Sequence, residues 1–390
     1  MGPGLSAVSG LSDGENRVAG AELPRLRVGE TNPRLDPRWE SFVAEHPGAL
    51  IYHHPAWLSA LEREYRQPCV YLICEDPNGK LLGLFPLMMT RGFPLGKGKP
   101  LSGARLASLP RTPLGGPLTA DSRVVVLLLQ EAIRRASAGG VRLQIKTQGA
   151  ELSGLVEGLE TKPWRLTYLL NLPGDSGEPF RVPGNQNWAG IKRAVNKAAA
   201  NGLRTRPAES ETDLAAWYRL YLETMRRNVV PARSYRFFQA LWELMQPRGL
   251  MRLLLAEQQS ASGARIIGGC VFFNLGQTVT YAFGASQTRD LGLRPNDMIF
   301  YQAINDAIRD GFRIFDFGEV PDGEDGLVRF KSKWGSVPVR LHRYYFPGFP
   351  DEEHHAGDSE SKPARLAKAM WRHLPLSVTS WLGDIVYSRL

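Results

Sequence analysis

From Pro24 onward the apolar positions switch between a period of two and a period near 3.6, and the order of these switches occurs twice. In the first pass a short strand at Arg25–Val28 leads into helices at Pro37–Glu45 and His54–Tyr65. Strand patterns follow at Cys69–Glu75 and Leu81–Thr90, joined by the hairpin signal Pro77-Asn78-Gly79. Beyond a Gly/Pro-rich loop come a strand at Arg105–Ser108, a helix at Ser122–Ser137, and strands at Val141–Lys146 and Arg165–Leu170. The second pass begins with a strand at Leu203–Arg206 and helices at Asp213–Arg226 and Tyr235–Met245. Strands at Met251–Glu257, Ile266–Phe273 and Thr278–Phe283 precede a helix at Pro295–Asp310. A strand at Arg313–Phe317, a short helix at Leu327–Lys333 and a strand at Val339–Phe346 close it. A repeated order of this kind predicts an α/β (α+β) protein: two copies of one unit, with mixed, largely antiparallel sheets flanked by helices. The repeat is one of topology. No sequence identity between the copies is visible.

These patterns divide the chain into a first domain at 24–175 and a second at 176–346. Residues 1–23, rich in Gly and Ser without periodicity, read as a disordered leader. Residues 347–362 read as an acidic linker, in which His354-His355 is a weak metal candidate and a solvated pair the simpler account. Residues 363–390 read as amphipathic helices. Val378, Trp381, Leu382, Ile385 and Val386 form one apolar stripe, preceded by Arg365, Lys368 and Arg372. Two readings follow: the stripe packs on the protein's own surface or a second copy, or it lies on anionic lipid. Between the domains, Asn185–Arg206 carries Lys192, Arg193, Lys197, Arg204 and Arg206 and no acid. Trp188, Ile191, Val195 and Ala199 recur there at helical spacing, so the basic residues share the helix's other faces.

Charge narrows the partners. A net charge of +9 favours an anionic one: nucleic acid, a phosphorylated substrate or an acidic membrane face. The length of 390 residues suits two domains. Cys69, Cys74 and Cys270 lack metal-ligand or redox spacing and read as free thiols. No signal-peptide h-region and no 18-residue apolar run occurs, which gives a cytoplasmic expectation, with peripheral contact on the inner face of the membrane through 363–390.

Candidate chemistry concentrates in Phe315-Asp316-Phe317-Gly318 and Phe330-Lys331-Ser332-Lys333-Trp334-Gly335. A strand opening into a glycine turn beside a lone charge is a common place for α/β proteins to keep a site. The plainer account sets Phe330 and Trp334 in the core and leaves Lys331 and Lys333 solvated. With the order of elements, these two motifs resemble the FemAB-like branch of the GNAT acyltransferases, which carry two tandem GNAT-type domains. The resemblance runs from about Pro24 to Phe346. The stretch Trp371-Arg372-His373-Leu374-Pro375-Leu376, with Trp381-Leu382-Gly383, is similar to the tail of FemAB-related proteins of exopolysaccharide systems.

That resemblance implies N-acyl transfer from an activated donor to an amine on a cell-envelope or exopolysaccharide precursor. The donor it implies is acyl-CoA or aminoacyl-tRNA as co-substrate, with no tightly bound cofactor and no metal. A lipid-linked or nucleotide-sugar acceptor would fit the charge. The family's phenylalanine–lysine pair falls on Phe330 and Lys331, with the lysine at the donor's terminal phosphate or the oxyanion. Asp316 or Glu319 is the candidate base, and a structural turn-capping role for Asp316 is the alternative. Substrate contacts are expected from Lys192, Arg193, Lys197, Phe330, Trp334 and Arg294. Arg294 stands where the coenzyme A loop of GNAT enzymes ends in a small residue. Other readings are an acyl-CoA-dependent N-acetyltransferase on a small amine or amino sugar, and an inactive membrane adaptor.

Overall fold

In the computed structural model of the chain, the described residues are 25–92, 103–174, 177–182, 187–260, 263–349 and 369–389. The expected leader, most of the linker with its histidine pair, and the start of the tail lie outside them. The first unit contains β1 (Arg27–Glu30), α1 (Pro37–Glu45), α2 (Pro55–Tyr65), β2 (Cys69–Glu75) and β3 (Leu81–Thr90). It continues with β4 (Arg105–Ala107), α3 (Ser122–Ala138), β5 (Arg142–Gln148) and β6 (Glu160–Asn171). The second contains α4 (Trp188–Ala200), β7 (Leu203–Pro207), α5 (Glu211–Arg227), α6 (Tyr235–Met245) and β8 (Met251–Ser260). Then come β9 (Gly263–Leu275), β10 (Thr278–Ser286), α7 (Pro295–Arg309), β11 (Ile314–Val320), α8 (Asp325–Ser332) and β12 (Val337–Phe346). A last helix, α9, spans Leu376–Arg389. Helix starts follow local chemistry: Asp36, Asp121, Ser210 and Ser234 each accept a backbone N–H as N-cap.

The class is as expected, but the two units share one sheet. Its order is β1-β2-β3-β4-β5-β12-β6-β11-β10-β9-β8-β7, so each unit receives its last strand from the other. β12 pairs antiparallel with β5, β6 pairs antiparallel with β11, and β6 and β12 pair with each other at the centre. The pairings at β4–β5 and β10–β11 are parallel, one in each unit. Each parallel pair is short, matching three residues before its strands part. Two gaps therefore open on either side of the exchanged strands.

Helices cover both faces. α3 packs on the first unit, α4 and α7 on the second, while α2 and α6 pack on each other across the units. That cross-unit contact is aromatic, with Trp57 against Phe237 at 5.8 Å and against Phe273 at 5.4 Å. Trp57 and Phe237 are fully buried, so truncating either is expected to cost about 3–5 kcal/mol and to loosen one unit from the other.

Candidate active site between the units

The two gaps merge into one cavity of about 690 Å3. Its walls come from the loop after β4, from β5, from the exchanged strands, from α5 and the segment following it, from β10, β11 and α8, and from Tyr387 of α9. Ligands in open α/β sheets collect where parallel strands end, and here two such ends face each other.

On the second unit's side, a bulge in β11 between Asp316 and Glu319 sets the chemistry. Gly318 takes a left-handed backbone (φ +74), and a Cβ there would lie 3.0 Å from the carbonyl oxygen of Tyr281. Only glycine fits that turn. Asp316 Oδ1 accepts the Gly318 N–H at 2.8 Å and the Thr167 hydroxyl at 2.7 Å, which pins the bulge to β6. The turn aims two carbonyls at Lys331, whose Nζ donates to Gly318 at 2.8 Å and Glu319 at 3.0 Å. Glu319 Oε1 accepts from Arg165 at 2.5 Å. Phe330 packs edge-on to Phe300. Trp334 is fully buried.

Lys331 is therefore not solvated: 4% of it is exposed. Lys333 is also engaged, on the carboxylate of Asp297 and over the Phe330 ring. Desolvation pulls the Lys331 ammonium down to about 8, and Asp316 and Glu319 limit the fall. Burial pushes the Asp316 carboxyl up, against the pull of Thr167, Gly318 and Lys331. Asp316 thus holds the turn, as its structural alternative expects, and also lines the cavity.

On the first unit's side, Lys146 of β5 is buried, and its Nζ donates to Leu109 at 3.1 Å and to the Thr112 carbonyl. Those carbonyls belong to a loop in which Leu109 and Arg111 both have positive φ, a conformation costing about 1 kcal/mol or more per residue. Burial pushes Lys146 well below the ordinary lysine range, with Arg343 adding to the effect. Tyr52, also buried, lies in the field of Asp316 and Glu319 from across the cavity. Arg233 follows α5 and donates from Nη2 to the Arg111 carbonyl at 2.7 Å.

Of the residues expected from sequence, Lys331, Asp316 and Glu319 line the cavity together. Phe330 and Trp334 stand behind Lys331 in the core of the second unit. Lys192, Arg193 and Lys197 are exposed on α4 and line no part of the cavity. Arg294 is exposed, takes a left-handed backbone (φ +67) as the N-cap of α7, and lines no part of it either. Sequence reading missed Lys146, Tyr52, Arg233 and Tyr387. A lysine inside the apolar run of β5 was the one available signal.

The start of α7, where GNAT enzymes are expected to hold coenzyme A diphosphate on backbone amides, carries its own acid. Pro295 has no N–H, and the buried Asp297 carboxylate sits in the first turn, paired with Lys333. Ahead of it Asp290, also buried, is bound by Arg265 at 2.7 Å. A helix start that carries its own carboxylate does not fit a diphosphate there. Among the described residues no group of acids, histidines and cysteines is arranged to hold a metal.

Residues 187–332 match the family described as Acetyltransferase (GNAT) domain. No curated protein matches the chain. The structure is similar to that of FemX, with a TM-score of 0.59 and 14% identity over 82% of this chain and 98% of that one. It is also similar to L-PGS from Bacillus licheniformis, with a TM-score of 0.52 and 13% identity over 82% of this chain and 98% of that one. At such identity the likeness is one of fold.

Proposed function

We propose that this chain, an acyltransferase whose residues 187–332 belong to the GNAT domain family and whose fold is that of FemAB-like tandem GNAT proteins, acylates an amino nitrogen in the cavity between its units. The Lys331 ammonium carries the reading. An ammonium has three N–H bonds, and two are used on the Gly318 and Glu319 carbonyls. The third is left for an oxyanion.

In the transfer, the amine lone pair attacks the acyl carbonyl carbon and the carbonyl electrons move onto oxygen. That oxygen takes the third N–H of Lys331. Collapse re-forms the carbonyl and expels the donor's ester oxygen or thioester sulfur with its bonding pair. The proton leaving nitrogen goes to Glu319 through Oε2, since Oε1 holds Arg165; the departing atom takes up a proton from water, and Glu319 returns its own to solvent. A cation fixed before the charge develops needs no reorganisation, and removing one such stabiliser costs about 3–4 kcal/mol of barrier.

The acceptor is an amine on a cell-envelope or exopolysaccharide precursor. The similarity of the tail to FemAB-related exopolysaccharide proteins and the basic cavity support this. The alternative acceptor is a small amine or amino sugar. Acyl-CoA is the usual co-substrate of the fold. The acid at the start of α7 and the exposed cations of α4 support the other donor, aminoacyl-tRNA. Transfer assays with labelled acetyl-CoA and aminoacyl-tRNA on one amine decide the donor. Transfer from neither overturns the acyl-transfer reading.

Among the described residues no helix is long and apolar enough to cross a membrane. α9 docks on the body by Thr379, Gly383 and Tyr387, with Gly383 packed so closely on the Ala232 carbonyl that a Cβ has no room there. The predicted stripe is left facing partly outward, with Trp381 61% exposed. This supports peripheral contact with a lipid surface. Trp381→Glu is expected to abolish co-sedimentation with anionic vesicles, and retained co-sedimentation would remove the claim.

A further inference from the structure

Beside the acyl-transfer groups, the cavity holds a pair of guanidinium groups that this chemistry leaves unused. Arg233 is 3% exposed, yet it forms part of the wall. Its Nη2 donates to the Arg111 carbonyl, while its buried Nη1 has no hydrogen-bond partner among the described residues. The group lies 4.4 Å from the ring centre of Phe237 and 5.1 Å from that of Tyr387. Arg111 lies 5.4 Å from the same Tyr387 ring. Among the described residues, neither arginine forms an ion pair. Glu64 acts on Arg233 through space but is itself bonded to the Ser234 N–H and hydroxyl.

Arginine does not escape burial by losing its proton. Two guanidinium groups on one ring, with Glu64 acting on Arg233 from its place on Ser234, leave positive charge that an arriving anion would offset. The start of α7, in contrast, already has its carboxylate.

We propose that the chain holds a substrate phosphate, as an ester or diphosphate, at Arg233 and Arg111 against Tyr387, and not at the start of α7. Lys146 serves it by pinning the 109–112 loop. A planar fork and a second cation match the oxygens of a phosphate, and charge-assisted bonds of this kind are the strong ones. The inference rests on the acyl-transfer reading only in taking this cavity as the substrate site, since binding needs no turnover.

Calorimetric titration of the full chain with inorganic pyrophosphate tests it. Saturable 1:1 binding is expected. Arg111→Ala, on an exposed loop residue that does not threaten folding, should weaken it at least about fivefold, and Arg233→Lys at least about tenfold. Lys192→Glu, on a residue that lines no part of the cavity, should stay within about twofold of wild type. Absence of binding by wild type, or equal binding by Arg111→Ala, overturns the subsite, and Arg111→Ala decides if Arg233→Lys does not fold. Displacement of pyrophosphate by coenzyme A identifies the donor as the source. Displacement by a UDP-sugar or a water-soluble phosphatidate identifies the acceptor, and displacement by none of them removes the substrate assignment. Lost acyl transfer with intact pyrophosphate binding would sink the proposed reaction and leave the subsite standing; the opposite result would do the reverse.

Discussion

Lys331 of the second unit and Lys146 of the first are both buried, and each donates to two backbone carbonyls. Each stands where a parallel strand pair parts. Their surroundings differ in sign. Desolvation lowers Lys331 to about 8, and Asp316 and Glu319 limit the fall. Lys146 has Arg343, Arg105 and Arg111 around it, with Glu319 as the opposing charge, and burial takes it well below the lysine range. The same device thus pins a loop in one unit and holds a cation beside two carboxylates in the other, and the balance of nearby charges makes the difference.

Replacing each lysine by methionine should separate the two most sharply. Lys331→Met is expected to lower kcat by about 10²–10³-fold. Lys146→Met should leave kcat within about threefold and raise KM, by loosening the loop that carries Arg111. Equal losses of kcat would break the comparison. Next in size, Glu319→Gln should lower kcat by about 10²-fold if Oε2 takes the amine proton. A change in KM alone would return Glu319 to its pairing with Arg165.

Asp316 allows a finer cut. Asp316→Ala removes the acceptor for both Thr167 and Gly318, at a cost of about 1–3 kcal/mol in urea unfolding. Asp316→Asn keeps Oδ1 as an acceptor and should retain most of that stability and of the turnover. Collapse of kcat in Asp316→Asn with stability intact would make Asp316 the base. Smallest of all, charge reversal at Lys192 and Lys197 should change kcat/KM with a small thioester by less than about twofold. With aminoacyl-tRNA the same change should reduce the salt slope of binding by about two.

Sequence periodicity located nearly every element, because each helix and strand carries its own local signal. α1, β2, β3 and α6 have the predicted bounds, and β6 extends the predicted strand mainly at its start. The exchange of β6 and β12 was not legible. An apolar strand reads alike whichever partner it takes, and pairing across some 180 residues leaves no local trace. The same limit explains the site. Lys331, Asp316 and Glu319 fall close together along the chain and were found as one group. Arg233, Tyr52 and Tyr387 reach the cavity from distant segments and carry no motif. α4 shows the opposite failure: a clear basic helix whose charges line no part of the cavity.

The pH dependence of kcat tests the account most directly, using an amine acceptor whose own pKa lies below the range studied, so that only the protein titrates. Lys331 sits near 8 instead of the ordinary 10.5, so its charged form is present below that point and lost above it. If the charged form stabilises the oxyanion, kcat is level up to about pH 7.5 and falls about tenfold per pH unit above 8, and Lys331→Met removes this alkaline limb. A kcat that instead rises through pH 8 would make Lys331 the base. A profile that Lys331→Met leaves unchanged would take Lys331 out of the reaction.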